Sequence, residues 1–419
     1  MLVPALACAV TLAAAAVGWL LLHVPAAGAT VFSAGVALSL YLRNFGRIGR
    51  LSGALLALPL VGMVIVPAPG IAPGGPLVSL GLLVAASAFA LVAASVVRLL
   101  AQRAGFALPV RPPRVERSER SARTGLPPAT RMALQMLVAL GAAFVAGFLF
   151  FPGHWNWSVL TAFIVCGGAI GRGDAVYKGV LRLAGALAGT LLATALAYLG
   201  TPTGPLEALA IFAVLYLGLW LRDVNYAFWA AAMTLILAML SGSVSTSGLA
   251  LLGVRLEAIL AGAVCAVAAA WFVTPIRTEA VIRRRLADAL LALDELVQHA
   301  HLTDEEAAER HAHFEHRMNE LERVAPPVRW HRRIFVRSGG EHPAEWLELA
   351  DGIRGQARTV RNRLSPHESE RSKLRRAIGL SRRAIADHGK AAAADEGAMT
   401  IGAALKRLRH LLAKAGHVE

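Results

Sequence analysis

The sequence predicts an all-α polytopic membrane protein of about ten transmembrane helices, arranged 4+6 with inverted three-helix repeats, followed by a C-terminal cytoplasmic helical bundle. Three observations lead there. Of 419 residues, 56% are hydrophobic and only 16% charged, against roughly 25% in soluble domains. The charge is also segregated. Only 16 of the 42 Lys/Arg and 6 of the 27 Asp/Glu precede Ile276, so the last third is as charged as a soluble protein. Finally, apolar runs of span length, about 17–25 residues, recur up to Pro275 and not beyond it.

The first block, 1–105, holds candidate spans at 2–22, 25–42, 51–67 and 77–97. The run after Met1 has no basic leader and continues into further apolar runs, so it reads as a retained span. A basic, proline-rich cytoplasmic linker, 106–130, carries Pro109, Pro112, Pro113, Pro127 and Pro128 among arginines. The second block, 131–275, holds candidates at 132–151, 155–170, 179–200, 206–221, 226–241 and 248–273. Basic residues follow the even-numbered spans: Arg43, Arg47 and Arg50; Arg98 to Arg131; Arg172, Lys178 and Arg182; Arg222; and Arg277 with Arg283 to Arg285. The alternate loops, 67–76 and 241–248, carry no charge. Cytoplasmic loops collect Lys and Arg, so both termini are expected on the cytoplasmic side of a bacterial-type inner membrane. The pI near 10.8 then reflects charges that orient helices, and nucleic acid is not an expected partner.

The second block repeats itself at an offset of 73. Thr161 matches Thr234, Arg182 matches Arg255, Gly189 matches Gly262, and Thr201-Pro202 recurs as Thr274-Pro275. A unit of three spans places its second copy upside down, the arrangement of inverted-repeat transporters. Arg50-Leu-Ser-Gly-Ala-Leu55 in the first block adds a partial third copy. The two shortest spans, near 155–170 and 226–241, hold matched positions in the two copies, which is the sequence pointer to a transport site.

From Ile276 to Glu419 the pattern is that of amphipathic helices. Leu286, Leu290, Leu291, Leu293 and Leu296 form the first apolar stripe, and Thr303-Asp-Glu-Glu306 reads as a capping box. His311, His313 and His316 read as a solvated helix face rather than a metal site. Cys8, Cys166 and Cys265 lack metal or disulfide spacing. No cofactor or metal is expected. Neither a phosphate-binding loop nor a spaced nucleophile, base and acid set is present, so an enzyme is not expected either.

Gly153-His-Trp-Asn-Trp-Ser-Val-Leu-Thr-Ala-Phe-Ile-Val165, then Gly171-Arg-Gly173, then Arg182-Leu-Ala-Gly-Ala-Leu-Ala-Gly189, resembles the fusaric acid resistance family of inner-membrane proteins. Those are grouped with the aromatic acid exporters and are distantly similar to plant aluminium-activated malate transporters. Asn225-Tyr-Ala227 and Arg255-Leu-Glu-Ala-Ile-Leu-Ala-Gly262 fit the same pattern. The resemblance covers 131–275 best; Gly185-Ala186 departs from the Gly-Thr more usual in the family. It implies gradient-driven efflux of aromatic or other organic anions. A passive anion channel and a non-transporting scaffold or envelope-stress protein are the alternatives. Implied partners are a small organic anion and membrane lipid, with a homo-oligomer or accessory envelope subunits as candidates.

Candidate substrate-binding residues follow from the chemistry of an anion in a membrane. Arg182 and Arg255 lie within spans, where a charge is expensive and usually faces a cavity or partner, and their guanidinium forks match carboxylates. Arg182 reads as closer to the cytoplasmic helix end, Arg255 as deeper in its run. Glu257 is a candidate proton carrier. Thr161 and Thr234 can line a path or bond back to their own helices. Trp155 and Trp157 read either as an interfacial aromatic belt or as a stacking surface for aromatic substrates.

Overall fold

A computed structural model describes residues 2–65, 126–200, 204–240, 248–298, 304–335, 342–361, 368–388 and 399–415, with short pieces of 96–103. Every element among them is helical: fifteen α-helices and a 3-10 turn at Leu42–Phe45. Among the described residues, packing divides the chain at Pro275 into two compact units. The sequence span at 77–97 falls almost wholly outside them, as do the capping threonine Thr303 and the loops 67–76 and 241–247.

In the first unit, α1 (Leu2–His23), α2 (Pro25–Tyr41) and α3 (Gly46–Ile65) pack on one another, and α2 lies against α4 (Pro128–Phe150). Phe32 meets Phe144 edge-on at 5.5 Å between ring centroids, with Val36, Met136 and Leu140 buried around them. The chain continues through α5 (Trp155–Cys166), α6 (Arg172–Leu199), α7 (Pro205–Leu221), α8 (Tyr226–Leu240) and α9 (Gly248–Phe272). Among the described residues, four stretches are long and apolar enough to cross a membrane: Pro25–Phe45, Pro128–Phe150, Arg172–Leu199 and Gly253–Phe272. α5, α7 and α8 are shorter apolar helices, between 12 and 17 residues. On α7 only Gly218 is buried, while Leu209, Phe212, Tyr216 and Trp220 are 67–73% exposed. A continuous apolar face of that kind is unstable in water and suits lipid.

α6 begins at Arg172, seven residues before the apolar run that marks it in the sequence. The extra turns are held by Asp174. Its carboxylate accepts the Ile170 N–H at 2.9 Å and pairs with Lys178 at 3.0 Å, while Lys178 donates to the Gly168 carbonyl. Gly168 itself adopts a positive φ of 77°, which lets the chain turn between α5 and α6. The consequence is that Arg182 lies ten residues into its helix and not at the helix end.

The second unit runs through α10 (Thr278–Gln298), α11 (Asp304–Glu322), α12 (Ala325–Phe335), α13 (Pro343–Arg361), α14 (Glu368–Asp387) and α15 (Ile401–Ala415). α10 packs on α11 and α14, and α15 packs on α13 and α14. Leu286, Leu290, Leu293 and Val297 face its core, whereas Leu291 is 40% exposed because it stands a helical step off that stripe. The expectation of a solvated histidine face is corrected at His313, which is buried and packs 3.4 Å from Glu295 of α10. Among the described residues no group of three metal-ligating side chains exists.

Charge pairs tie these helices together. Glu320 of α11 joins Arg285 of α10 at 2.8 Å and Arg317 at 3.1 Å. Burial pushes its carboxyl up, but the hydrogen bonds and charges of the two arginines outweigh that and hold it below the ordinary carboxylate value. A depressed carboxyl favours the folded state above its unfolded pKa and loses that contribution as pH falls through the folded one. Thermal melts of the full chain are therefore expected to weaken with acidification below about pH 4.3, the ordinary glutamate value, and Glu320→Gln is expected to flatten that dependence. Identical pH profiles for the two proteins would remove Glu320 from the account.

Candidate functional site

The candidate site is built by a crossed arrangement of four helices. The long helix α6 packs most extensively on the short helix α8, and the long helix α9 on the short helix α5. α6 and α9 also run against each other, with Ala186, Ala258 and Ile259 buried at their crossing beside Trp157. Glycines make these approaches possible. A Cβ on Gly189 would lie 2.4 Å from the Ala231 carbonyl oxygen, and one on Gly262 would lie 2.1 Å from the Ser158 carbonyl oxygen. The two pairs are offset by the same 73 residues in both members: 189 to 262, and 158 to 231. Small residues at such contacts let backbones come together where lipid supplies no hydrophobic drive. Ser158 adds a bond across the same seam, its hydroxyl donating to the Ala258 carbonyl at 2.8 Å.

Arg182 is sealed between α6 and α8 at 1% exposure. Its Nη1 donates to the Ala230 carbonyl and to Thr234 Oγ1, both at 3.3 Å. Thr234 Oγ1 also bonds back to Ala230 O at 2.8 Å. Nε and Nη2 of Arg182 are buried and have no hydrogen-bond partner among the described residues. Those two donors form one edge of the planar guanidinium, the edge that grips a carboxylate bidentately.

Arg255 is nearly as buried, at 8% exposure, but in different company. Its Cζ lies 5.2 Å from the centroid of the Trp157 ring, within cation–π range. The position 73 residues after Trp157 is Ala230, whose carbonyl serves Arg182. An indole thus stands in one half-site where the other has a methyl group and an accessible carbonyl. Thr161, which matches Thr234 in the sequence, is fully buried with its hydroxyl unbonded, so Arg255 and Thr161 do not reproduce the Arg182–Thr234 bond.

The structure therefore brings Arg182 to Thr234, and Arg255 to Trp157. Trp157 is 7% exposed and turned into the helix crossing, which corresponds to neither an interfacial belt nor an open stacking surface. Trp155 packs on Phe144 and Phe148 at 5.6 and 5.5 Å between centroids, a role in the α4–α5 core. Glu257 is exposed on α9, with no ion pair among the described residues. Ser158 and Gln135 escape sequence reasoning. Gln135 of α4 is buried and donates its amide N–H groups to the carbonyls of Val273 and Thr274, at 2.9 and 3.2 Å. Those carbonyls end α9 where Thr274 takes a left-handed φ of 45°. Both polar residues sit singly in apolar runs, and only the long-range packing shows what they hold.

The helices α5 to α8, most of α4 and α9, and both arginines fall inside one recognisable segment. Residues 138–269 match the fusaric acid resistance protein-like family. The match agrees with the resemblance carried by the 153–165 and 182–189 motifs, and it spans all the candidate residues: Trp155, Trp157, Thr161, Arg182, Thr234, Arg255 and Glu257. No curated protein matches the chain. Members of the fusaric acid resistance-like family are generally membrane transport proteins, and the apolar exposed helix faces of this chain fit a membrane protein.

Proposed function

We propose that the fusaric acid resistance-like segment exports organic anions, aromatic acids among them, across the inner membrane at the expense of an ion gradient. The observation that carries this reading is the buried, unpartnered Nε/Nη2 edge of Arg182. A guanidinium sealed in apolar surroundings with two adjacent donors unused is costly, and a substrate carboxylate offers the two acceptors that satisfy them. Inverted three-helix repeats, α4–α6 and α7–α9, give the site its frame, and the paired Gly189–Ala231 and Gly262–Ser158 contacts support that arrangement. In inverted-repeat transporters one half rocks against the other around a central site, and the Ala186–Ala258 crossing is the seam on which such rocking turns. Arg182 holds the carboxylate, Thr234 orients the guanidinium, and the stacked Arg255–Trp157 pair is the second positive station on the path. This is a transport chemistry and not a bond-making one. About ten spans, with the second unit as a cytoplasmic helical bundle, complete the proposed layout.

The deciding experiment measures accumulation of a labelled aromatic acid in everted membrane vesicles containing the protein, with and without an imposed proton gradient. Accumulation that needs the gradient supports a coupled exporter. Equilibration that ignores it indicates a passive channel, and no flux above empty vesicles would favour the scaffold reading.

Topology gives an independent check. Reporters fused after Gly74 or Ser245 are expected to read periplasmic, and those after Arg120 or Glu419 cytoplasmic, from the alternation of charged and uncharged loops. A cytoplasmic signal from Ser245 would leave α7–α9 in the same orientation as α4–α6 and end the inverted-repeat argument.

A further inference from the structure

Tyr226, the first residue of α8, stands on the face of that helix that Arg182 meets. The register between α6 and α8 places it there. A Cβ on Gly185 would lie 2.5 Å from the Ala230 Cβ, and one on Gly189 would lie 2.9 Å from the Thr234 Cβ. Both pairs have the same separation in sequence, so the two helices run parallel along this seam. One turn back on it stand Arg182, three residues before Gly185, and Tyr226, four before Ala230. The Tyr226 phenol lies within electrostatic reach of the Arg182 guanidinium and of Arg222, in the turn before α8. These three residues grade inward: Arg222 is exposed, Tyr226 half-buried and Arg182 sealed. No hydrogen bond to protein holds the Tyr226 hydroxyl among the described residues. The position 73 residues before Tyr226 is Gly153, so the phenol belongs to the Arg182 half-site alone.

We infer that Tyr226 is a further substrate-binding residue, its hydroxyl donating to the carboxylate that Arg182 grips. The inference rests on the reading of Arg182 as the anion site and adds the neutral donor beside it. A carboxylate has about four lone-pair sites. Nε and Nη2 of Arg182 fill two, which leaves acceptors for a phenolic O–H, and a hydrogen bond to an ionised oxygen is stronger than a neutral one. Position adds a second reason. An anion that moves from the exposed end of α8 to a sealed guanidinium sheds its water, which is costly without hydrogen-bonding partners on the way. Tyr226 supplies one at the half-buried depth between them.

The test titrates benzoate into the full chain in lipid nanodiscs and follows the rise in melting temperature that ligand binding produces. Wild type, Tyr226→Phe and Arg182→Gln are compared. Tyr226→Phe removes one oxygen and keeps the ring, so without benzoate it should melt as wild type does. Benzoate should bind it at least about tenfold more weakly, the loss expected for one hydrogen bond to a charged group. Arg182→Gln should show no benzoate-dependent rise. Should Tyr226→Phe fail to accumulate, Tyr226→Met should show the same loss. Wild-type affinity in Tyr226→Phe overturns the inference and leaves Arg182 as the anion site. A wild-type protein that benzoate does not stabilise, or an Arg182→Gln protein that binds it equally well, overturns the Arg182 reading and this inference with it.

Discussion

Arg182→Gln is expected to abolish organic-anion accumulation in everted vesicles while leaving the amount of inserted protein unchanged. The side chain is 1% exposed, and two of its donors face no acceptor. Removing the charge relieves a buried, under-compensated cation, which offsets the loss of its two long hydrogen bonds to Ala230 and Thr234. Binding has much to lose, because two charge-assisted hydrogen bonds contribute about 1.5–3 kcal/mol each, and their absence should weaken apparent affinity at least about a hundredfold. Arg182→Lys keeps the charge but replaces the fork with a point donor, and should retain a fraction of the flux. Arg255→Gln also lowers flux, since it removes the second station, but it leaves the Nε/Nη2 edge of Arg182 intact. Wild-type kinetics in a well-expressed Arg182→Gln protein would take Arg182 out of the site and with it the case for a carboxylate cargo.

Gly262→Val is expected to eliminate folded protein. The new Cβ would lie 2.1 Å from Ser158 O, a backbone atom that no rotamer change can move. Overpacking of a well-filled contact costs about 1–3 kcal/mol even for modest additions, and this one forces α9 off α5. Gly189→Val meets the Ala231 carbonyl at 2.4 Å and should behave alike. Gly141→Ala is the control. Its Cβ would meet no atom within 4 Å, so the alanine should leave stability equal or raise it by about 0.5–1 kcal/mol. Detergent melting temperatures and membrane abundance read all three. A Gly262→Val protein as abundant as wild type would show that the α5–α9 seam is looser than the structure has it.

Hydropathy made the helices of the first unit readable, because a run such as 206–221 has no alternative to being apolar and helical. It misplaced the start of α6, since Arg172, Asp174 and Lys178 resemble a loop until Asp174 is seen capping Ile170. The offset of 73 singled out Arg182, Arg255, Thr161 and Thr234 from sequence alone. What it could not give was the exchange of partners. Arg182 finds Thr234 across 52 residues, and Arg255 finds Trp157 rather than Thr161. Those choices depend on which long helix crosses which short one, and on the single difference between an indole at 157 and a methyl at 230. In the second unit, stripe periodicity identified Leu286, Leu290 and Leu293 but could not separate Leu291 from them.

The bond between Arg182 and Thr234 also sets an order of events during synthesis. Arg182 leaves the ribosome 52 residues before the threonine that receives it. For that interval α6 carries a guanidinium with no seat, at an insertion cost of about 2.5–3.5 kcal/mol for a charge at mid-helix. The apolar second half of α6, from Leu183 to Leu199, can supply the opposing drive, but α8 must arrive before the helix is at rest. Biogenesis of this segment thus has a built-in waiting step, during which α6 remains open to release or to capture by an insertase. Shortening the connection at α7 would change not only the finished structure but the time that an unaccompanied charge spends at the membrane.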